Sequence, residues 1–284
     1  MKMNSLRLII SNLLAINIAK ISPKLYMSLS YLHHRGRLPN LKKPKNISEI
    51  ILSTICNGHV NEYCDYVDKI KVRDFYIKVG LEQHLPKIYG VWESINEIDF
   101  KNLPDAFALK TNHGCGNHYI CKNKNDFDLE KARNIINKAL ANKYGVVETQ
   151  YHLIRPMVFC EEYIDDGSGE LPSDYKFLCL DGEIKCILIV TERTLNGYKL
   201  MTYNVEWEKL DYLKSGYVTT RIFNRPNNLK KMIKIATEIA AMFEFVRVDF
   251  YDIGERVIMG ELTFTPQGGI MSYFTNEAIK IMGR

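Results

Sequence analysis

The stretch F-V-R-V-D-F-Y-D-I-G-E-R-V-I-M-G-E-L-T-F-T-P-Q-G-G, residues 245–269, decides the fold of this chain. Two runs rich in β-branched and aromatic residues flank a turn near residues 254–255, which is the pattern of a β-hairpin. In the first run Arg247 and Asp249 alternate with apolar residues, so they point to one face of the sheet. In the second run Glu261 falls on that same polar face. The pattern predicts an antiparallel pair of strands that is apolar on one side and charged on the other.

The predicted register places Asp249 almost directly across from Glu261. Two carboxylates opposed on one face of a sheet repel each other, so such a pair usually needs a cation. Oxygen ligands of this kind suit Mg²⁺, which takes one or two carboxylates together with substrate phosphates. Arg247 would lie beside the metal as a fixed positive charge. The alternative is that this polar face only contacts solvent, as in many two-faced sheets.

The same hairpin pattern recurs through the chain, with helices between the strands. Asp181-Gly182 joins two β-rich runs within residues 175–190 and predicts a second hairpin. Together these patterns predict an α+β fold with antiparallel sheets, as opposed to a doubly wound parallel sheet. The remaining predicted elements are strands at 85–91, 107–110, 119–122 and 158–164, and helices at 68–79, 129–140 (capped by Asp126 or Asp128) and 229–243.

Length and composition describe an ordinary folded protein. The chain has 284 residues, of which 46% are hydrophobic and 25% charged, and this excludes disordered and collagen-like classes. A formal net charge of +5 suits anionic small molecules or an acidic membrane surface, and it is too small to indicate nucleic acid as a partner. Seven cysteines without a repeated spacing indicate a reducing compartment, and we expect the cytoplasm.

The N-terminal region is apolar and basic. Residues 8–19 are apolar but interrupted by polar side chains, and they are too short to span a bilayer. An amphipathic helix packed on the body is expected, and docking of residues 1–20 on a membrane surface is the second interpretation. Two basic stretches follow at residues 33–37 and 41–45. They are typical of a solvated face, and a patch that binds a phosphate-rich or membrane-linked substrate is the alternative.

A second set of candidate residues lies in F-A-L-K-T-N-H-G-C-G-N-H, residues 107–118. A strand delivers Lys110 just before a turn that contains Gly114 and Gly116, whose backbone amides can approach phosphate oxygens closely. The turn is not a P-loop, because no G-K-[ST] follows it. A plain hairpin turn is the alternative.

The same loop also has a metal-binding interpretation. His113, Cys115, His118 and Cys121 have the mixed His/Cys character that zinc favours, but they lack the paired C-x-x-C knuckle. A third stretch, V-F-C-E-E-Y-I at residues 158–164, ends a strand with two glutamates. It is interpreted either as a hinge facing a nucleobase or as a solvated strand end.

Taken in order, these segments resemble an ATP-grasp protein. The resemblance is carried by D-K-I-K-V-R (residues 68–73), A-L-K-T-N-H-G-C-G-N, C-E-E-Y-I, D-Y-K-F-L-C-L-D-G, F-V-R-V-D-F-Y and G-E-L-T-F-T-P. Within that superfamily the chain is most similar to the TupA-like, or teichuronopeptide biosynthesis, group associated with bacterial surface polysaccharides. The resemblance extends from about residue 23 to about residue 269. It implies a helical N-terminal region at 1–67, a small lobe at 68–164 and a C-terminal lobe with the metal site at 165–284.

The resemblance also implies a role for each matching residue. Lys69 and Lys110 would contact the nucleotide phosphates, and the loop at 112–117 would close over them. Arg247 would be the cation nearest the acyl phosphate, and Lys176 would face the same cleft. Thr263 stands where the superfamily has an asparagine that binds metal, which puts that contact in doubt. The segment at 161–164 would hydrogen-bond adenine, and an acidic residue there or Asp174 would hold the ribose. The implied nucleotide-binding residues are Lys69, Lys110, Asn112, Gly114, Gly116, Asn117, Glu161, Glu162, Tyr163, Ile164 and Asp174, and the implied Mg²⁺ ligands are Asp249 and Glu261.

The implied activity is ATP-dependent ligation of a carboxylate and an amine through an acyl phosphate. The expected product is an amide between an amino acid and a uronic acid, or an acidic peptide, of a surface glycan. Three alternatives stay open at this point: a kinase of the same fold, a non-catalytic binder of nucleotide or polyanion at the membrane surface, and a zinc-binding module.

Overall fold

The computed structural model describes residues 17–116, 118–167, 172–194 and 197–284. Residues 17–21 are helical, and four helices follow before the first strand: α1 (Pro23–Arg35), α2 (Ile47–Cys56), α3 (Cys64–Val67) and α4 (Val72–Lys78). Ser22 caps α1 by accepting a hydrogen bond from the Leu25 N–H at 3.2 Å, and Pro23 occupies the first helical position. None of the helices in these residues is long and apolar enough to cross a bilayer.

The predicted helix at 68–79 is wrong at its start, because the chain turns between α3 and α4. The Asp68 carboxylate accepts hydrogen bonds from the backbone N–H groups of Ile70 and Lys71, at 2.9 and 3.3 Å. Such local bonds satisfy backbone donors outside a helix and compete with the helix itself. The turn therefore places Lys69 directly after α3, in a backbone conformation that differs from that of a continuous helix over residues 68–79.

The first sheet has four antiparallel strands in the order β1-β4-β2-β3. One helix packs on it, and its N-cap is Asp128, whose carboxylate accepts from the Lys131 N–H at 2.9 Å. The predicted strands and helix of this region are therefore confirmed, with Asp128 and not Asp126 as the cap. The elements are β1 (Ile88–Trp92), β2 (Phe107–Thr111), β3 (His118–Cys121), β4 (Val158–Glu162) and α5 (Leu129–Ala141).

The second sheet has five antiparallel strands in the order β7-β6-β5-β8-β9. Asp181 and Gly182, with φ of 52° and 82°, form the tight turn between β5 and β6 that the sequence predicts. Two antiparallel sheets with helices confirm the predicted α+β class. The elements are β5 (Asp174–Leu180), β6 (Glu183–Thr194), β7 (Gly197–Tyr203), α6 (Leu229–Ala240), β8 (Phe245–Ile253), β9 (Arg256–Thr263) and α7 (Asn276–Ile281).

The hairpin of β8 and β9 turns at Gly254, as predicted, and contains a bulge. Pairing runs from Ile253 with Arg256 to Phe250 with Met259, and resumes one residue later with Val248 opposite Leu262. Gly260 and Glu261 therefore both lie opposite Asp249. A bulge of this kind re-aims side chains at a site, and here it keeps Glu261 on the face of Arg247 and Asp249.

The apolar face of this hairpin builds the core under the site. Val248, Phe250 and Leu262 are buried together with residues of α4 and α6, among them Tyr76 and Met232. The predicted alternation is thus confirmed, with the charged face opposite this core. Burial of the apolar face fixes the register, because a slip of one residue would invert every side chain.

The N-terminal helices pack on the segment that follows β9. The Ser48 hydroxyl donates to the Gly269 carbonyl at 2.6 Å. The Arg35 guanidinium donates to the carbonyls of Ile270, Met271 and Phe274 at 2.6 to 2.9 Å. Arg35 is buried, so the interpretation of residues 33–37 as a solvated face is wrong for this residue. A buried guanidinium requires acceptors, and three backbone carbonyls supply them.

Candidate active site

A cleft of about 1050 Å³ lies between the two sheets. Its walls come from β2 and β4 of the first sheet, from β5, β8 and β9 of the second, and from the turn and helix that carry Lys69. A cleft of this size accommodates a ligand as large as a nucleotide. The predicted site residues that line it are Lys69, Lys110, Gly114, Gly116, Glu161, Glu162, Tyr163, Ile164, Asp174, Lys176, Asp249 and Glu261.

Two carboxylates and two cations meet at the floor of the cleft. Asp249, Glu261 and Lys176 line it, whereas the predicted catalytic residue Arg247, whose side chain is 12% exposed, contacts both carboxylates without lining the cleft. Arg247 donates from Nε and Nη2 to the two oxygens of Asp249, both at 2.7 Å, and from Nη2 to Glu261 Oε1 at 2.9 Å. The Lys176 ammonium donates to Asp249 and lies 3.3 Å from Asp174 Oδ2. The strand pairing explains the cluster, because Lys176 is the register partner of Asp249.

Electrostatics keep Glu261 ionised. Burial acts to raise its pKa, but Lys69, Arg247 and Lys176 outweigh burial and hold the pKa below its ordinary value. The charged form is therefore the one available to bind a cation at neutral pH.

The geometry of these carboxylates fits a divalent cation. Asp249 Oδ2 and Glu261 Oε1 both lie within 2.9 Å of Arg247 Nη2. The two carboxylates are therefore close enough for one cation to contact both. Within the described ranges no group of three or more His, Cys, Asp or Glu side chains could hold a metal ion. Two carboxylates match Mg²⁺, which completes its shell with water and phosphate oxygens. Thr263 does not line the cleft, and its hydroxyl donates to Glu261 Oε1 at 3.3 Å, so it orients the Glu261 carboxylate.

Tyr76 is a buried polar group below this floor that the sequence did not single out. Its side chain is 1% exposed, and its hydroxyl has no hydrogen-bond partner among the described residues. Burial, together with the charges of Asp249 and Glu261, raises its pKa well above the ordinary value. An unpaired buried hydroxyl is costly, and this one lines the cleft, where a bound ligand or its water can accept from it.

The two predicted phosphate lysines reach into the cleft from opposite sides. Lys110 on β2 forms an ion pair with Glu161 on the neighbouring strand β4. Burial acts to lower the pKa of Lys110, but Glu161 outweighs it, and the net shift is upward. The Lys69 ammonium donates to the Gly114 carbonyl and lies 3.9 Å from Glu261 Oε2. Lys69 therefore connects Glu261 to the glycine loop.

The loop between β2 and β3 contains two glycines in the left-handed conformation. Gly114 and Gly116 have φ of 73° and 76°, which only glycine adopts readily. A Cβ on Gly114 would lie 2.9 Å from the Tyr144 ring, so glycine is also required by space. Cys115 Sγ lies 2.9 Å from the Tyr144 hydroxyl. The remaining loop prediction, Asn117, lies outside the described residues.

Asn112 holds the base of this loop and does not line the cleft. Its amide nitrogen donates to Asp68 Oδ2 at 3.0 Å and to the Arg155 carbonyl at 3.1 Å. Its amide oxygen accepts from the Met157 N–H at 2.8 Å, and its carbonyl accepts from the Lys69 N–H at 3.0 Å. The side chain is thus fully engaged, and it positions the turn that carries Lys69.

The end of β4 forms the far wall of the cleft. Glu161 faces Lys110, whereas Glu162 pairs with Arg256 at 2.9 Å and lies nearer the solvent. Tyr163 and Ile164 complete this wall. It is faced with apolar side chains that sequence reasoning did not select, namely Leu85, Ala108, Ile120, Phe159 and Met259. An apolar lining beside backbone polar groups is suited to a nucleobase.

Arg73 is a further lining residue that the sequence analysis missed. It lies in the first turn of α4, directly after the turn that carries Lys69, and both cations line the same cleft. Burial lowers its pKa, against the opposing effect of Glu161 and Glu82. Arg73 is the last residue of the D-K-I-K-V-R motif, but the sequence analysis assigned a function only to Lys69 of that motif.

The geometry gives no support to zinc at His113, Cys115, His118 and Cys121. His113 Nε2 lies 3.2 Å from the Asn142 carbonyl, and Cys121 Sγ donates to the Asp105 carbonyl at 3.7 Å. With Cys115 directed at Tyr144, these side chains face separate partners. Among the described residues they do not form a group that could hold a metal ion.

Comparison with known proteins gives one family and several distant structures. A family model described as TupA-like ATPgrasp matches residues 47–284. No curated protein matches the sequence. A D-alanine–D-alanine ligase from Bacillus anthracis with bound ATP is 13% identical, with a TM-score of 0.46 over 77% of this chain and 64% of that one. The D-cycloserine synthetase DcsG is 10% identical, with a TM-score of 0.42 over 80% of this chain and 77% of that one. The chain spans about 60% of the length of another structure of the Bacillus anthracis ligase, with 15% identity, a TM-score of 0.43 and 74% of this chain covered.

Proposed function

The chain belongs to the TupA-like ATP-grasp family, and on that premise we propose that it is an ATP-dependent carboxylate–amine ligase. The observation that carries the proposal is the group of Asp249, Glu261 and Lys176, with Arg247 bonded to both carboxylates, at the floor of a cleft that Lys69 and Lys110 also line. Such a set of carboxylates and cations suits the transfer of a phosphoryl group.

ATP would lie along the cleft with its base against the apolar wall of β2 and β4. Backbone groups of residues 161–164 would face the edge of the base, and Asp174 would hold the ribose. Lys69 and Lys110 would contact the phosphates, and Gly114 and Gly116 would let the loop approach them. Lys110 would exchange part of its pairing with Glu161 for a phosphate oxygen, which its flexible stem allows.

Asp249 and Glu261 would hold Mg²⁺, and Thr263 would orient Glu261. When bound, Mg²⁺ supplies positive charge that offsets the phosphate oxygens during transfer. Arg247 and Lys176 hold the Asp249 carboxylate in place, so the site is ordered by the chain's own side chains.

The reaction would proceed in two steps. A substrate carboxylate oxygen attacks the γ-phosphorus of ATP, the bond to the bridging oxygen breaks, and ADP and an acyl phosphate result. An amine then attacks the acyl carbon, loses a proton, and expels inorganic phosphate to leave an amide. Arg247 Nη1 makes no hydrogen bond within the described part of the chain, so it can donate to the oxyanion of the second step.

The proposed substrates are a uronic acid, or an acidic peptide, of a bacterial surface polysaccharide and the amine of an amino acid. This assignment is supported by the resemblance of the sequence to the teichuronopeptide group. We propose that the enzyme acts in the cytoplasm, because all seven cysteines are free thiols.

Melting curves with a non-hydrolysable ATP analogue, with and without Mg²⁺, test the nucleotide site. At a ligand concentration of 100 times Kd, we expect a stabilisation of about 2.7 kcal/mol. Lys110→Ala should lose most of this shift relative to its own ligand-free curve. The matched control is Lys138→Ala, which removes an exposed lysine of α5 and should keep the shift. No Mg²⁺-dependent shift in the unmodified protein would refute the nucleotide assignment.

Release of ADP then separates a ligase from a kinase. A ligase requires both the carboxylate and the amine for sustained turnover and yields inorganic phosphate. Turnover that ignores the amine, with a stable phosphorylated product, would show a kinase. Binding without turnover in any pairing of uronic acids and amino acids would favour a nucleotide-binding protein.

A further inference from the structure

The charge of the chain is divided unevenly along its length. Residues 1–48 contain nine of the 38 Lys and Arg residues and none of the 33 Asp and Glu residues. The first 48 residues therefore carry a formal charge of +9. The rest of the chain carries 29 basic and 33 acidic residues, which is −4. Such a basic segment attached to an acidic body indicates a separate anionic partner for the segment.

Helix α1 presents an apolar stripe to solvent. Leu25, Leu29 and Leu32 are spaced four and three residues apart, so they lie on one face of the helix; we call them the leucine stripe. Their exposed fractions are 50%, 44% and 39%. Of the twelve large apolar side chains that are exposed in the described residues, five lie within residues 21–38, which include the stripe. Clustered exposure of this kind marks an interaction surface.

The opposite face of α1 is already used by the fold. Met27 and Tyr31 are 1% exposed and belong to the core that also contains residues of α2 and α7. The buried face of α1, with Met27 and Tyr31, attaches the helix to the core, and the leucine stripe is not needed for this packing.

Exposed lysines precede and follow the leucine stripe along the chain. Lys20 and Lys24 lie on its N-terminal side, and Lys42 and Lys43 lie in the loop that follows the helix. All four are exposed, and their ammonium groups form no ion pair within the described part of the chain. An apolar stripe bordered by unpaired lysines is the pattern of a helix that lies in a membrane interface.

We propose that residues 17–45 dock on the surface of an anionic lipid bilayer, with the leucine stripe in the interface and the lysines against lipid phosphates. Charge decides between this partner and a second copy of the chain. Two copies would bring two basic segments together, whereas a bilayer of anionic lipid complements them. The proposal concerns a surface outside the nucleotide cleft and stands independently of the ligase activity.

Flotation with lipid vesicles tests the proposal on the full chain. The protein should float with vesicles of phosphatidylcholine mixed with phosphatidylglycerol, and much less with phosphatidylcholine alone. Each lysine near the surface contributes about fivefold to partitioning, so Lys42→Gln with Lys43→Gln should reduce it about 20- to 30-fold. Binding should also fall steeply at about 1 M salt, where the Debye length is about 3 Å.

The apolar contribution is tested by Leu25→Ser with Leu29→Ser, which should reduce partitioning by at least about tenfold. The matched control is Ile222→Ser, because Ile222 is 92% exposed and lies outside the basic segment. That variant should bind vesicles like the unmodified protein, and all variants should keep its melting temperature.

Several results would overturn the proposal. A dimer in sedimentation equilibrium that Leu25→Ser with Leu29→Ser dissociates would make a second copy the occupant of the stripe. A monomer that floats with neither vesicle would leave residues 1–16 of the same chain as the occupant. Equal loss of binding in the Ile222→Ser control would show that the stripe has no specific role.

Discussion

Replacing Glu261 by glutamine tests the metal site, because it removes one negative charge and keeps the shape of the side chain. Glu261 lies 2.9 Å from Arg247 Nη2 and 3.9 Å from Lys69 Nζ, and a third of its side chain is exposed. Ion pairs at this exposure contribute at most about 1 kcal/mol to folding. Glu261→Gln should therefore unfold within about 1 kcal/mol of the unmodified protein.

The effect on activity should be much larger. The variant loses one of two charged oxygen ligands that would hold the cation beside the transferred phosphoryl group. Loss of such a charge-stabilising contact costs about 3–4 kcal/mol in the transition state, which corresponds to about 10²- to 10³-fold in kcat/KM. The assay is ADP release as a function of Mg²⁺ concentration, and we expect the variant to require more Mg²⁺ as well as to turn over more slowly.

The matched control for this experiment is Glu255→Gln. Glu255 lies in the exposed turn of the same hairpin and faces away from the cleft. It should retain full activity and the normal requirement for Mg²⁺. If Glu261→Gln were as active as this control at the same Mg²⁺ concentration, the assignment of Asp249 and Glu261 as metal ligands would be refuted.

Two further predictions concern stability. A Cβ on Gly260 would lie 3.1 Å from the Asp249 carbonyl oxygen, so Gly260→Ala should lower the free energy of unfolding in urea by about 1–3 kcal/mol and reduce activity. The control Gly216→Ala has open space around the new Cβ and should change neither stability nor activity. Equal behaviour of the two variants would contradict the crowding argument. Burial acts to raise the pKa of Glu49, but the backbone N–H of Asn40 and the Arg37 guanidinium outweigh it, and the folded pKa lies below the ordinary value. Glu49 therefore adds stability above about pH 4.5 that is lost as the pH falls through its folded pKa. Glu49→Gln should lose about 1–3 kcal/mol at pH 7 and less in acid, and an equal loss at both pH values would contradict this linkage.

Sequence reasoning worked best where one chain segment contains both the periodicity and the turn. In the β8–β9 hairpin, strand alternation assigns Arg247, Asp249 and Glu261 to one face, and the glycine turn nearly fixes their register. The bulge opposite Asp249 was not predicted, although the core-facing residues of β9 change from odd positions, Val257 and Met259, to the even position Leu262 across it.

Local sequence patterns could not predict the contacts between segments that are distant in sequence. Lys110 and Glu161 were each selected as site residues, but their pairing depends on strand register across 51 residues of sequence. The buried position of Arg35 depends on carbonyls more than 230 residues away, and nothing in H-H-R-G-R distinguishes it from its exposed neighbours. Local periodicity contains no information on partners at that distance.

The attachment of α1 and α2 to the segment after β9 has a consequence for the order of events during synthesis. Arg35 and Ser48 acquire their partners only when residues 269–274 exist, and the intervening chain of more than 200 residues has to be made first. Until then the apolar face of α2, including Ile51 and Leu52, lacks the packing that Gly269 and its neighbours provide. Contacts between residues so far apart in sequence form slowly, and apolar surface stays exposed until they have formed. The nascent chain is therefore expected to depend on chaperones until residues 269–274 have emerged from the ribosome.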